Sequence, residues 1–205
     1  QKWSLYPLQL VMDSINKVTF PAYARLQHHQ ESLQKAINKS LFFTSLLIFP
    51  MVIGLVATAP AFIRLIPRYS QWQPALLALG LFSLSSLWSS ITTTLTNTLA
   101  ALGYIKTNLK LMVMWTGLTW IATPLLVAKY SFTGAAMAAA LVAFTSFVPA
   151  ILIKRRLHIN ILDNTLPALL SSFITGATAY QFAKQTTNLF QLFGVIVLSG
   201  ILYLI

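Results

Sequence analysis

Cysteine is absent from the 205 residues. Neither a disulfide framework nor a thiolate metal site is therefore available. Acidic residues are nearly absent too: Asp13, Glu31 and Asp163 are the whole set, against 14 lysines and arginines. Only 8% of the chain is charged, where a soluble domain carries about 25%. There is no Walker motif, no nucleophile elbow and no cluster of metal ligands, so neither an ATPase subunit nor a soluble hydrolase is supported. His28 and His29 stand side by side and point apart on a helix, with no further ligand at metal spacing; they read as solvated side chains.

Hydrocarbon takes the place of charge. The chain is 57% hydrophobic, with a mean hydropathy of +0.72, the composition of a polytopic membrane protein. Part of the net charge of +11 is the usual cationic flank of membrane helices, and the excess suits an anionic ligand. The basic residues are scattered between apolar segments, which argues against nucleic acid as a partner.

Counting about 20 apolar residues per crossing predicts an all-α transmembrane bundle of about seven membrane helices. The segments are approximately 3–23, 41–66, 75–101, 109–128, 133–153, 165–183 and 189–205. Lysine and arginine in alternate loops set the orientation. Arg25, Lys35, Lys39, Lys106, Lys110 and the triplet Lys154-Arg155-Arg156 fall on one side; Lys2, Arg64, Arg68, Lys129 and Lys184 fall on the other. The richer side is placed in the cytoplasm, so the chain starts outside and ends inside. Because Gln1 opens directly into an apolar run and residues 195–205 end within another, the expectation is the later part of a longer protein.

The first segment is the unusual one. At helical spacing Tyr6, Gln9, Asp13, Asn16 and Lys17 share a face, and Leu8, Met12, Ile15 and Thr19 share the opposite face. One side suits lipid, the other protein or water. Intramembrane charges cost on the order of 3 kcal/mol each on insertion scales and usually face an interior or a cavity. This segment is therefore the expected wall of a transport pathway. Asp13 precedes Lys17 by four residues, the favourable order for a helical ion pair. The two either neutralise each other or serve as a ligand or ion-relay point.

The remaining segments offer less. Pro50, Gly54 and Pro60 are expected to bend or interrupt the second segment. Ser83, Ser86, Ser90, Thr93 and Asn97 make one face of the third, suited to close packing with hydroxyls bonding across the contact. Asn97 is the member that most needs a partner. The run from Gly134 to Ala140 is built for tight packing, and Gly176 and Gly200 are expected close-contact points.

Two stretches go beyond composition. The first is the run from Lys17 to Gln27 (KVTFPAYARLQ), followed by Glu31 to Lys35 (ESLQK) and a helix with Pro50 and Gly54. The second is Trp72-Gln73-Pro74-Ala75, then a segment closing on the run from Asn97 to Gly103 (NTLAALG), with Lys106 beyond. Together they resemble the polysaccharide (O-antigen and exopolysaccharide) flippases of the multidrug/oligosaccharidyl-lipid/polysaccharide exporter superfamily.

The resemblance implies the second half of a transporter of twelve to fourteen helices. Residues 1–154 would be a six-helix-type bundle of which five membrane helices are seen, and 155–205 the final two. It implies a non-enzymatic protein of the cell inner membrane, C-terminal side cytoplasmic, that moves an undecaprenyl-pyrophosphate-linked oligosaccharide between leaflets by alternating access. Lys17, Asn16 and Gln9 would then contact sugar or pyrophosphate, with Arg64 near the periplasmic mouth. Asp13 would couple to a proton or Na⁺ gradient or pair with Lys17, with no bound cofactor. The partners implied are the lipid-linked oligosaccharide, membrane lipids, and polysaccharide polymerase or chain-length proteins. Two alternatives stay open: a multidrug or cation antiporter of the same superfamily, and a membrane glycosyltransferase, polymerase or ligase, acting on the same lipid-linked sugar.

Overall fold

The computed structural model describes residues 2–154, 157 and 159–204, with the side chains of 1–4, 7 and 10 outside the description. The topology signals Arg155 and Arg156, and the side chain of Lys2, thus lie outside the described residues. Among these the chain is all α-helical. The elements are α1 (Lys2–Leu26), α2 (Gln30–Leu65), a 3₁₀ helix (Pro67–Trp72), α3 (Ala75–Ala101), α4 (Ile105–Phe144), α5 (Phe147–Lys154), α6 (Ile161–Gln185) and α7 (Leu189–Leu204).

The polar run from Arg25 to Lys35, expected as a cytoplasmic loop, is mostly helix. Only Gln27 to His29 intervene between α1 and α2, and His28 and His29 are exposed there. The alternation of Leu33, Ile37 and Leu41, all fully buried, explains the extension: an apolar stripe at i, i+4 continues beneath the charged surface residues.

α2 organises the bundle, packing against α1, α3, α6 and α7. It is one helix of 36 residues with Pro50 and Pro60 inside it, so the expected interruption does not occur. Helices packed along its length hold it through the prolines. Between the prolines, the Thr58 hydroxyl donates to the Gly54 carbonyl at 2.8 Å, one turn back on the same helix.

Three apolar clusters follow α2 from one end to the other. The first joins Tyr23, Leu33, Ile37, Leu41, Leu95, Leu99 and Ile153. The second joins Val11, Met12, Ile48, Phe49, Val52 and Ala168, and the third joins Ala61, Ala183 and Leu192. The pairings of Ala168 with residues 48–52 and of Ala183 with Ala61 make α6 run parallel to α2. Gly176 lies between them, its Cβ position 2.5 Å from the Ile53 methyl, whereas Gly200 has open space around it.

α4 is one element only in name. Tyr130 (φ −121°, ψ 15°) and Ser131 (φ 51°, ψ −136°) are non-helical, and Gly134 meets the carbonyl of Leu126. Residues eight apart on a straight helix are about 12 Å apart along the axis; here the chain has turned back on itself. The arms 105–129 and 132–144 correspond to the fourth and fifth expected segments, and α5 carries the second arm on after a break at Thr145. Ser131 occupies a backbone region that costs an L-residue about 1–3 kcal/mol. Ser131→Gly is expected to raise stability by about 1 kcal/mol, seen as a higher midpoint of thermal unfolding in detergent.

Among the described residues, three stretches are long and apolar enough to cross a membrane: Gln30–Leu65, Ala75–Ala101 and Ile105–Lys154, the last passing through the reversal; Leu189–Leu204 is a shorter apolar helix. α1 and α6, at 25 residues each, have spanning length but are diluted by polar side chains.

The hydroxyls of α3 behave differently from expectation. Ser83, Ser86 and Ser90 are buried, as close packing requires. Yet Ser86 donates to the Phe82 carbonyl, Ser90 to Leu87 and Thr93 to Ser89, all at 2.7–2.9 Å. They satisfy themselves one turn back on their own helix, the cheapest partner in a dry contact. Ser85 reaches across to a neighbouring helix, donating to the Ala139 carbonyl of α4 at 3.2 Å. The alanine run does pack: Ala136, Ala138 and Ala140 are buried.

Candidate functional site

α1 has two unlike sides, and the bundle uses them in the reverse of the simplest expectation. Met12 and Val11 are buried, with Leu8 and Ile15 packed beside them against Ile48, Phe49 and Val52. The apolar side thus faces protein, not lipid. Lipid tails are as apolar as leucine, so periodicity alone cannot tell a lipid contact from a helix contact. The polar side looks away from this bundle: Tyr6, Gln9, Asp13 and Lys17 are exposed and Asn16 is half-buried.

Part of that side forms an open groove of about 500 Å³, lined by Asp13, Asn16, Lys17, Phe20, Pro21 and Asn97. Asn97, from near the end of α3, donates its amide to the Asn16 side-chain oxygen at 2.7 Å. This bond ties α3 to α1 and satisfies the amide that most needed a partner. It also orients Asn16, leaving its own NH₂ as a donor at the groove edge. Asp13 and Lys17 are one turn apart and both exposed. An anion and a cation, two amides and the ring of Phe20 share one concave surface, a combination suited to a ligand with a charged head and hydroxyls. Gln9 is exposed further up the same helix. Phe20 and Pro21 also line the groove; the one signal the sequence carries for them is their place in the motif at residues 17–27.

Tyr23, also in that motif, is 1% exposed and its hydroxyl faces Ser40 and Thr98. Its ring packs with Leu33, Ile37 and Leu41 of α2 and with Leu95 and Leu99 of α3, which fastens both helices to α1.

Arg64 is elsewhere. Its guanidinium donates to the carbonyls of Lys184 (2.8 Å), Ala183 (3.0 Å) and Thr186 (2.8 Å), closing the C-terminal end of α6. It lines a second cavity of about 270 Å³ with Ala57, Pro60, Ala61, Gln73, Tyr180, Ala183 and Lys184. Gln73 precedes α3 and Asn97 lies near its far end, so the two cavities are on the order of 30 Å apart at about 1.5 Å per helical residue. Lys17 and Arg64 therefore do not converge on one site in this bundle.

Comparison with known proteins bears on the first helices. Residues 1–77 match a family described as polysaccharide biosynthesis protein. The chain is also similar to the succinoglycan biosynthesis transport protein ExoT of Rhizobium meliloti (strain 1021), with 35% identity over 85 residues. That match covers 41% of this chain and 17% of the relative, so the chain aligns with under a fifth of the relative's length. No solved structure matches. The family match takes in α1, α2, the 3₁₀ helix and the first turn of α3, and thus every lining residue of the groove except Asn97. Over residues 1–77, then, the chain is similar to the polysaccharide biosynthesis protein family, and the rest of it lies outside that match.

Proposed function

We propose that the chain is part of a multi-pass inner-membrane transporter that flips an undecaprenyl-pyrophosphate-linked oligosaccharide between leaflets by alternating access, with its C-terminal side cytoplasmic. The observation that carries this reading is the groove on α1. It combines Lys17 with the Asn16–Asn97 pair, and most of it lies within the stretch matched to polysaccharide biosynthesis proteins. An ammonium is a compact point charge toward phosphate, and the amides and Gln9 are matched to sugar hydroxyls. The groove is open on the side away from the bundle, as required of a wall whose opposite face is supplied by another part of a longer transporter. Such a protein needs no covalent chemistry; it needs a polar surface sheltered from lipid that is presented in turn to each side. Asp13 is assigned to H⁺ or Na⁺ coupling, with Lys17 as its neighbour in charge. Arg64 contributes by holding the outer end of α6, beside the periplasmic mouth. Polymerase and chain-length proteins are the expected partners.

The antiporter alternative is the weaker one. A cation entering the groove to meet Asp13 would also meet Lys17. A glycosyltransferase is separated by assay, because a flippase alters leaflet accessibility of the lipid-linked sugar and a polymerase alters its length. Losing one charge-assisted bond to phosphate costs about 1.5–3 kcal/mol. Lys17→Ala in the full-length protein is therefore expected to lower export of surface polysaccharide about tenfold or more. Because Lys17 is exposed, its membrane level should be unchanged on immunoblots. Normal export at normal expression would remove Lys17 from its assigned role and the groove with it.

A further inference from the structure

The second cavity, where α2 and α6 end side by side, has a charge imbalance that nothing in the chain balances. Two parallel helices finish here, each presenting roughly half a negative charge. Arg64 answers the carbonyls of α6 directly. Lys184 brings a second full charge, with its ammonium 4.5 Å from the centre of the Tyr180 ring. After both helix ends are counted, an excess of about one positive charge remains. The chain has three carboxylates, and none is placed to offset it. Glu31 and Asp163 lie in the first turns of α2 and α6, at the opposite ends of those same helices. Asp13 lines the other groove.

The wall of this cavity is otherwise of mixed character. Ala57, Pro60 and Ala61 give an apolar side, and Gln73 and Tyr180 give polar atoms. The adjoining 3₁₀ helix places the boundary with water at this level. Trp72 is 56% exposed and Tyr69 42%, with Tyr69 stacked on Phe62 at 6.2 Å between ring centres. Exposed Trp and Tyr at a helix end mark the headgroup zone of a bilayer, and a basic recess between membrane helices at that depth suits a phosphate-bearing head.

We propose that this cavity, lined by Lys184, Arg64, Gln73 and Tyr180, binds a phosphate anion at the membrane surface, independently of the α1 groove. Lys184 supplies the mobile charge, since its ammonium rests on a ring and can swing to an anion. Arg64 is committed to the carbonyls and contributes its field and its remaining N–H groups. The apolar wall accommodates the glycerol or acyl portion of a phospholipid. The proposal needs the chain to lie in a membrane but does not depend on what the transporter carries.

The test uses the full-length protein purified in an uncharged detergent, with bound lipid measured by native mass spectrometry. Phosphatidylglycerol is titrated against phosphatidylcholine, and inorganic phosphate is added alone as a competitor. Phosphatidylglycerol is expected to bind in preference to phosphatidylcholine. Lys184→Gln, which leaves the Arg64 contacts in place, is expected to weaken that binding about fivefold, from roughly 1 kcal/mol per basic residue at a membrane surface. Lys129→Gln, exposed and in contact with a tyrosine ring in the same manner, is the control and should leave binding unchanged. Competition by inorganic phosphate would identify a free phosphate as occupant; failure to compete would identify the lipid headgroup. Equal binding of the two lipids, an undiminished Lys184→Gln, or an equal loss in Lys129→Gln would overturn the site. Polysaccharide export by Lys184→Gln is a separate readout, so failure here is distinguishable from failure of the transport reading.

Discussion

Gly134→Val is expected to prevent the α4 hairpin from closing, at a cost of about 3 kcal/mol or more. A Cβ at this position would sit on the carbonyl carbon and oxygen of Leu126 and 2.7 Å from the backbone nitrogen of Val127. These are main-chain atoms, so no rotamer change relieves the overlap. Either the two arms separate or the reversal at Tyr130–Ser131 shifts. Separation would withdraw the buried alanines 136, 138 and 140 from their contacts and loosen Trp115, whose indole N–H donates to the Thr145 hydroxyl at 3.0 Å across the hairpin. Gly117→Ala is the matched control on the first arm. Nothing lies within 4 Å of its Cβ position, and alanine is the better helix former by roughly 1 kcal/mol. Thermal unfolding of both variants in the same detergent decides the point. A Gly134→Val midpoint equal to the parent would mean that the arms do not meet at this glycine.

Arg64→Ala is expected to destabilise the protein by about 3 kcal/mol and to release the end of α6. Three carbonyls lose a charged donor at once. Each such bond is worth about 1.5 kcal/mol at the low end for a charged group, and part of that is returned by solvent because the side chain is exposed. The cation also sits at the shared negative end of two parallel helices, worth a further 0.3–1 kcal/mol or so. Arg64→Lys is expected to recover less than half of the loss, because one ammonium cannot fork across three oxygens as a guanidinium does. Amide exchange at residues 183–186 should accelerate in Arg64→Ala while the α1–α2 hairpin stays protected. Unchanged exchange at those amides would show that the three bonds do not hold the helix end.

The Arg64 case shows where sequence reasoning stops. The family resemblance implies for Arg64 a ligand contact near the periplasmic mouth. Its partners are backbone carbonyls about 120 residues away in the chain, and carbonyls are the same at every position of a sequence. The Asn16–Asn97 bond was half legible. That the Asn97 amide needed a partner followed from burying it among apolar residues. That each was the other's partner followed only from the crossing of α1 and α3.

Composition and periodicity determined, with no structure, that this is a cysteine-free, cationic, all-α membrane bundle. They also placed α3 at Ala75–Ala101, and they marked Gln9, Asp13, Asn16 and Lys17 as one polar stripe in the stretch that matches polysaccharide biosynthesis proteins. These properties reside in local residue spacing, which survives in any fold. Tertiary structure alone decided that the apolar side of α1 faces its neighbours and the polar side an open groove, that α2 runs unbroken through two prolines, that α4 doubles back at Ser131, and that Arg64 closes α6. Each of these depends on which helices lie side by side, and apolar faces are too alike for a sequence to name their neighbours.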